Sequence, residues 1–178
     1  MLEAIQSFDE SVLLFIQETL RFDFLTPIML FITRLGDSGF IWILLGVIML
    51  FPKKTRRAGV VMLLCLAGAF IVNDLIIKPM VARVRPYETI AALNNLLTEG
   101  SFSFPSGHTN SSFACALALT LIYGKKGAWA YLLAVLIAFS RCYVGVHYLT
   151  DIFAGMVIGT VMSFVVFKLV GRRILQRD

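Results

Sequence analysis

The sequence predicts an all-α, polytopic membrane protein, a six-helix transmembrane bundle preceded by an amphipathic N-terminal helix. Three observations support this class. Hydrophobic residues make up 58% of the 178 residues and charged residues only 15%, and the mean hydropathy is +0.84. Six apolar stretches approach the length of a bilayer-crossing helix, and basic residues gather between them. This length leaves room for one bundle, so we expect a single domain over residues 1–178.

The first 21 residues have helical periodicity. Apolar side chains recur at helical spacing on one face, namely Ile5, Phe8, Val12, Ile16 and Leu20. Acids and glutamines occupy the other faces. We therefore expect residues 1–21 to form an amphipathic helix that lies along the membrane interface or packs against the edge of the bundle. The start of the chain lacks the basic region and short apolar core of a signal peptide, so no cleaved signal is expected.

Six apolar stretches are expected to cross the membrane. They cover residues 22–34, 38–51, 57–77, 107–123, 127–145 and 149–171. The first two are shorter than the roughly 20 residues that usually span a bilayer, and neighbouring residues or local thinning would complete them. If the first stretch did not cross, only the side of the membrane that holds the N-terminus would change.

The distribution of charge predicts the orientation in the cell membrane. Most Lys and Arg side chains fall in two loops and the tail, namely Lys53, Lys54, Arg56, Arg57, Lys125, Lys126, Arg172, Arg173 and Arg177. By the positive-inside rule these segments face the cytoplasm, and an even number of crossings separates them. Residues 78–106 and 141–148 then face outward. Four cations violate the rule on that outer side, which suggests that function retains them: Lys78, Arg83, Arg85 and Arg141.

Composition disfavours two other classes of function. The net charge is +5, but no basic stretch is interleaved with aromatic residues, so nucleic acid is not an expected partner. Cys65, Cys115 and Cys142 are odd in number, widely spaced and embedded in apolar sequence. This pattern fits neither a disulfide framework nor a zinc site, and we expect the three thiols to pack inside the bundle.

The chain has only two histidines, and the first stands at a helix start. His108 follows Pro105-Ser106-Gly107 and precedes a long apolar run. Ser106 is expected to cap that helix, and Gly107 lets the backbone approach a ligand closely. Free N–H groups and the positive end of the helix dipole make such a start favourable for an anion. Taken alone, His108 is explained better as an interfacial histidine at a helix start.

The second histidine has a carboxylate at helical spacing. His147 and Asp151 are four residues apart at the start of the sixth stretch and therefore share a helix face. The carboxylate can accept a hydrogen bond from one ring nitrogen and leave the other nitrogen free, as in an oriented base or nucleophile. An ordinary acid at a helix N-terminus is the alternative explanation of Asp151.

Three cations complete the predicted site. Lys78 offers a compact charge, and Arg85 and Arg141 offer planar forks that suit phosphate oxygens. Each alone has the alternative of a snorkelling cation at a helix end. Because all fall on the predicted outer face with both histidines, we expect a site for a phosphate group. Two histidines and one aspartate beside three cations make a poor metal site, so no metal is expected.

Three segments together resemble the signature of the type 2 phosphatidic acid phosphatase (PAP2) superfamily. They are Lys78-(six residues)-Arg85-Pro86, Pro105-Ser106-Gly107-His108 and Ser140-Arg141-(five residues)-His147-(three residues)-Asp151. The resemblance implies that His147 attacks phosphorus and forms a phosphohistidine, that Asp151 orients its ring, and that His108 protonates the leaving oxygen. It also implies that no metal or cofactor is needed and that the phosphoryl oxygens are bound by Lys78, Arg85, Ser106, Gly107 and Arg141.

The superfamily also includes soluble acid phosphatases and vanadium-dependent haloperoxidases, but the spanning helices favour a lipid substrate. Its headgroup would reach the outer face while its tail stays in the bilayer. We favour undecaprenyl diphosphate, because that carrier is left on the outer face after cell-wall polymerisation. A phosphatidylglycerophosphate or phosphatidate phosphatase of broad specificity is the alternative. Arg83 could offer a fourth cation to a second phosphate, although we interpret it as a surface arginine.

Two other classes of function stay open at the level of sequence. In a lipid transporter the intramembrane charges would line a path, but the sequence has no internal repeat or paired half-helices, and the charges cluster at one face. In a catalytically dead lipid-binding scaffold the acid–base residues would have no role, yet all of them are present.

Overall fold

The structure is a computed structural model that describes residues 2–176, and it is helical with no strand in that range. The helices in chain order are α1 (Leu2–Leu20), α2 (Leu25–Leu35), α3 (Phe40–Leu50), α4 (Arg56–Phe70), α5 (Lys78–Val81), α6 (Pro86–Thr89), α7 (Gly107–Tyr123), α8 (Ala130–Tyr143), α9 (Leu149–Val166) and α10 (Arg172–Gln176). Two π-helical segments, Ile71–Ile77 and Phe167–Gly171, join α4 to α5 and α9 to α10. The predicted all-α class is confirmed.

Helix α7 lies at the centre of the bundle and packs against α4, α8 and α9. Small residues let α9 approach the backbone of α7 closely, as is common between membrane helices. A side chain at Gly155 would place its Cβ 2.5 Å from the carbonyl oxygen of Ser106. This close contact brings the start of α9 against the start of α7, where His147 and His108 lie.

Helix α1 packs against α8 and α9 through a face that includes only part of the predicted apolar stripe, since Ile16 is buried there and Val12 and Leu20 pack against the core. The buried positions of α1 are Asp9, Leu13 and Ile16, whereas Ile5 and Phe8 are 42% and 57% exposed. The inward position of Asp9 has a physical reason, since its carboxylate forms an ion pair inside the bundle. The predicted helix is present, and its interfacial position stays a prediction.

Within residues 2–176, three helical stretches are long and apolar enough to cross a membrane: Arg56–Thr89, Gly107–Tyr143 and Leu149–Gln176. The count rises to four if the pair Leu25–Leu35 and Asp37–Leu50, bent by 49°, forms one span. Large apolar side chains point away from the bundle on several helices, as a lipid-facing surface requires. These features support a multi-pass membrane protein, and the count of six crossings stays a prediction.

The three cysteines are buried and unpaired in this fold, as expected from their apolar surroundings. Cys65 and Cys115 lie in α4 and α7, and Cys142 lies near the end of α8. Their role is to fill the core.

Candidate active site

Residues from all three predicted segments line one cavity of about 560 Å³. Six of the eight predicted site residues belong to its lining, namely Lys78, Arg85, Gly107, His108, Arg141 and His147. The other two, Ser106 and Asp151, have no exposed surface and lie behind the wall. Segments separated by up to about 70 residues in the chain therefore meet where α5, α7, α8 and α9 begin or end.

The ring of His147 is held by hydrogen bonds at both nitrogens. Its Nε2 lies 3.3 Å from Arg85 Nη1, and its Nδ1 lies 3.4 Å from Asp151 Oδ2. A guanidinium group can only donate, so Nε2 is the acceptor and carries the lone pair. The proton therefore resides on Nδ1 and is donated to Asp151. Burial lowers the pKa of His147 to about 3, although the hydrogen bond with Asp151 acts in the opposite direction.

This protonation state is directly measurable because the chain contains only two imidazoles. In protein labelled with ¹⁵N-histidine, we expect the His147 ring to remain neutral from pH 7 to pH 5, with its proton on Nδ1, since its pKa is lowered to about 3. Loss of the signal in His147→Asn assigns it. A titration midpoint near the ordinary value for histidine would contradict the geometry.

The carboxylate of Asp151 accepts hydrogen bonds from several groups besides His147. Its Oδ2 also accepts from the Ser103 hydroxyl and from the backbone N–H of Tyr148 at 2.9 Å. Its Oδ1 accepts from Arg83 Nη1 at 2.8 Å. The interpretation of Arg83 as a surface arginine is therefore wrong. Arg83 is drawn inward by a tertiary contact, because the segment after α5 folds over the start of α9. Sequence spacing does not reveal this contact.

His108 has a carboxylate partner that the sequence analysis missed. Its Nε2 lies 3.0 Å from Asp37 Oδ1, in the short turn between α2 and α3. The approach of that turn to His108 depends on how α2 and α8 pack, which sequence spacing does not reveal. A half-buried histidine with a nearby carboxylate has one nitrogen fixed and the other available for proton transfer.

The His108 ring packs against Gly36. A Cβ at Gly36 would lie 2.6 Å from His108 Cδ2 and 2.9 Å from Ile137 Cγ2. We expect Gly36→Ala to displace the ring and to lower kcat for phosphate release about 10-fold, since small misplacements of catalytic groups are costly. Gly100→Ala is the matched control, because nothing lies within 4 Å of that position. Equal kcat in both variants would contradict this role of Gly36.

Lys78 and Arg85 differ in how their charges are balanced. Lys78 Nζ forms an ion pair at 2.8 Å with Asp74, which lies four residues earlier in the chain. Arg85 is 2% exposed, and within residues 2–176 it forms no ion pair with a carboxylate. Its guanidinium is held by backbone carbonyl oxygens, those of Ser101, Phe102 and Val146. A buried cation held only by neutral groups favours an anion in the cavity.

Arg141 is completely buried, and two of its three nitrogens have polar partners. Nη1 donates to Thr33 Oγ1, and Nη2 forms an ion pair with Glu99. Nε has no hydrogen-bond partner among the described residues. Burial acts to raise the pKa of Glu99, but the charges of Arg141 and Arg85 prevail and lower it. Glu99 therefore stays ionised and fixes Arg141, a role that its isolated place in a loop did not indicate.

The start of α7 has the predicted cap. Ser106 Oγ accepts from the backbone N–H of Thr109 at 3.4 Å and lies 3.1 Å from its hydroxyl. A Cβ at Gly107 would lie 2.9 Å from Asp74 Oδ1, so a side chain there would press on the partner of Lys78. The cap is confirmed, while phosphate binding by Ser106 and Gly107 stays a prediction.

In the part of the chain that the structure describes, no group of three or more His, Cys, Asp or Glu side chains is arranged to hold a metal ion. The titratable side chains that line the cavity include three cations and both histidines, together with Asp74 and Glu99, which are paired with two of those cations. This set of side chains suits an anionic group.

An all-helical bundle with two histidines and three cations around one cavity has the groups that a membrane enzyme acting on phosphate would need. Residues 58–175 match the family model of the PAP2 superfamily. The chain belongs to this superfamily, and it is a lipid phosphatase of the metal-independent kind.

Two relatives and one solved structure are similar over most of the chain. The undecaprenyl-diphosphatase of Sulfolobus acidocaldarius is 30% identical over 145 residues, 79% of this chain and 68% of that protein. Phosphatidylglycerophosphatase B of Bacillus subtilis is 33% identical over 178 residues, 92% of this chain and 83% of that protein. The crystal structure of a transmembrane PAP2-type phosphatidylglycerolphosphate phosphatase from Bacillus subtilis superposes with a TM-score of 0.77 at 31% identity, covering 95% of this chain and 87% of that chain.

Proposed function

We propose that the protein is a lipid phosphatase of the cell membrane that cleaves a lipid phosphate or diphosphate on the extracytoplasmic face through a phosphohistidine intermediate. One observation carries this proposal. His147, with a lone pair on Nε2, lines the same cavity as His108 and the cations Lys78, Arg85 and Arg141. A nucleophile, an acid and charge-stabilising groups are the parts that phosphoryl transfer requires.

In the first step, His147 Nε2 attacks phosphorus and the bond from phosphorus to the leaving oxygen breaks. Throughout this step the Nδ1–H group of His147 donates a hydrogen bond to Asp151. The carboxylate of Asp151 stabilises the positive charge that develops on the His147 ring. His108 donates a proton to the leaving oxygen. With Nε2 of His108 held by Asp37, Nδ1 is the nitrogen left for that transfer. The products are a lipid alcohol or monophosphate and phosphorylated His147.

In the second step, water attacks phosphorus and His108 accepts its proton. The bond from phosphorus to Nε2 breaks, phosphate leaves, and His147 returns to its neutral state. In both steps the equatorial oxygens carry negative charge. The buried guanidinium of Arg85 stabilises it by its charge, and Arg141 Nε, which has no hydrogen-bond partner among the described residues, can donate to one of these oxygens. Lys78 adds a third charge beside the start of α7.

The proposed topology has six crossings, with α1 at the membrane interface and the active site outside the cytoplasm. Helices α7 and α8 pack against each other across the turn Gly124–Trp129, which supports two crossings there. The basic loop after α3 forms a second cavity with Tyr123 and Leu175. The first predicted cytoplasmic loop and the tail therefore meet beside the end of α7.

We propose undecaprenyl diphosphate as the substrate, hydrolysed to undecaprenyl phosphate and phosphate. The similarity to an undecaprenyl-diphosphatase supports this choice. An apolar wall from α3 and α4 lines one side of the cavity and offers a place for the first part of a lipid chain, with Ile43, Leu63, Leu66, Ala67 and Phe70. Phosphatidylglycerophosphate is the second candidate, supported by the similarity to phosphatidylglycerophosphatase B.

The test is phosphate release by detergent-purified protein without added metal, comparing undecaprenyl diphosphate, phosphatidylglycerophosphate and phosphatidate, with His147→Ala in parallel. The proposal predicts release that is fastest with the diphosphate and lost in the variant. Equal rates on all three lipids would make the protein a phosphatase of broad specificity. No release from any of them would favour a transporter or a scaffold instead.

A further inference from the structure

A layer of charged residues lies directly behind Asp151, outside the lining of the cavity. Arg83 forms its centre and bridges two carboxylates with the two arms of its guanidinium. Nη1 lies 2.8 Å from Asp151 Oδ1, and Nη2 lies 2.8 Å from Asp9 Oδ2. A planar fork of this kind fixes both partners in angle as well as in distance. Arg83 thus connects the carboxylate behind His147 to helix α1.

Asp9 is fully buried in α1 and accepts several hydrogen bonds. Its Oδ1 accepts from the backbone N–H of Thr150 at 3.0 Å, and its Oδ2 accepts from the hydroxyl of the same residue. Thr150 immediately precedes Asp151 in the first turn of α9. Asp9 therefore holds the first turn of α9 twice, directly through Thr150 and indirectly through Arg83.

Two further contacts fix the position of Arg83. Its guanidinium carbon lies 3.7 Å from the centre of the Tyr148 ring, a short cation–π distance. The backbone before it bends at Ala82, which ends α5 with a φ of 49°, a left-handed conformation that alanine rarely adopts. Such a conformation persists where surrounding contacts require it. Arg83, the next residue, makes such contacts with α1 and α9.

We infer that Asp9 and Arg83 are positioning residues for catalysis. Through them, α1 helps to orient the nucleophile, because Asp9 contacts Arg83, Arg83 contacts Asp151, and Asp151 contacts His147. This inference rests on the proposed function of His147 as the nucleophile. Arg83 occupies Oδ1 of Asp151 and leaves Oδ2 to His147. Asp9 balances the charge of Arg83, so that Asp151 keeps negative charge for the ring. Helix α1 lies outside the residues matched by the family model, which begin at residue 58.

The test compares Asp9→Asn with Glu18→Gln, a matched loss of one acid at an exposed position of the same helix. Asp9→Asn is expected to lower kcat about 10-fold, the lower end of the range for partners that orient a functional residue. KM is expected to stay within about twofold, because neither Asp9 nor Arg83 lines the cavity. Glu18→Gln should keep both constants.

Arg83→Lys provides a second variant that retains the buried positive charge if Asp9→Asn folds poorly. Lysine cannot bridge both carboxylates, so kcat should again fall about 10-fold, and adding Asp9→Asn should lower it little further because the two residues act as one unit. Rates are expressed per folded enzyme, with the melting temperature measured alongside. Wild-type kcat in both variants, or a change in KM alone, would overturn the inference.

His147→Ala separates this inference from the proposed function. Active wild type, inactive His147→Ala and unchanged kcat in Asp9→Asn would leave the proposed function intact and reject the role of α1. Full activity in His147→Ala would reject the proposed function, and with it the role of α1.

Discussion

Replacement of His147 by asparagine is expected to lower kcat by at least about 10⁴-fold, the range seen when a nucleophile is removed from a preorganised site. Asparagine keeps an N–H for Asp151 and removes the nitrogen lone pair that attacks phosphorus. The ring lies between Asp151 and Arg85, with Nε2 as its only acceptor nitrogen. The measurement is phosphate release from the preferred lipid in detergent micelles under single-turnover conditions.

The control for this variant is its ability to hold the substrate. The three cations of the cavity are unchanged in His147→Asn, so the lipid should still bind, with affinity within a few-fold of the wild type by equilibrium partitioning of labelled lipid. A variant that retains more than about one hundredth of the wild-type kcat would exclude His147 as the nucleophile. Loss of binding together with activity would indicate a collapsed cavity instead of a lost nucleophile.

Replacement of His108 by asparagine is expected to lower kcat on a lipid phosphate about 10²- to 10⁴-fold, the usual contribution of general acid–base catalysis. The size of the loss should depend on the leaving group. An alkoxide needs the proton, whereas p-nitrophenolate leaves without one. The variant should therefore form phosphoenzyme almost normally from p-nitrophenyl phosphate, and that phosphoenzyme should accumulate because the base for water is missing.

Asp37→Asn gives a graded comparison for this prediction. Asp37 contacts the ring of His108 without lining the cavity, so its loss should reduce kcat less than loss of His108 itself. A burst of p-nitrophenolate in His108→Asn that matches the enzyme concentration would support the assignment. An equal loss of rate with both leaving groups would show that His108 does not act as the acid.

Helical periodicity and apolar length predicted most of the fold, because each membrane helix must satisfy its own backbone hydrogen bonds. The six apolar stretches correspond to the observed helices from α2 to α9, apart from the short α5 and α6, with ends displaced by a few residues. The apolar stripe of α1 accounts for only part of its packing face, because Ile16 is buried whereas Ile5 and Phe8 are exposed. Hydrophobic periodicity assumes that charge faces outward, whereas Asp9 faces inward to meet Arg83.

The predicted site residues came from spacing within single segments, and the missed residues came from contacts between segments. His147 and Asp151 are neighbours on one helix turn, so their spacing was sufficient. Asp37 and Glu99 reach their partners from loops that are 71 and 42 residues away in the chain. The sequence signal for Glu99 is a lone acid between two motif segments, and the signal for Asp37 is a lone acid in a turn that contains two glycines.

The central claim is that phosphate passes through His147, and trapping the intermediate tests it most directly. Purified enzyme is mixed with lipid labelled in the terminal phosphate, quenched in alkali within milliseconds, digested and analysed by mass spectrometry. The predicted result is an acid-labile, alkali-stable phosphate on the peptide that contains His147, absent from His147→Asn and increased in His108→Asn. Rapid product formation with phosphate on another residue, or with no phosphoenzyme in either the wild type or His108→Asn, would contradict it.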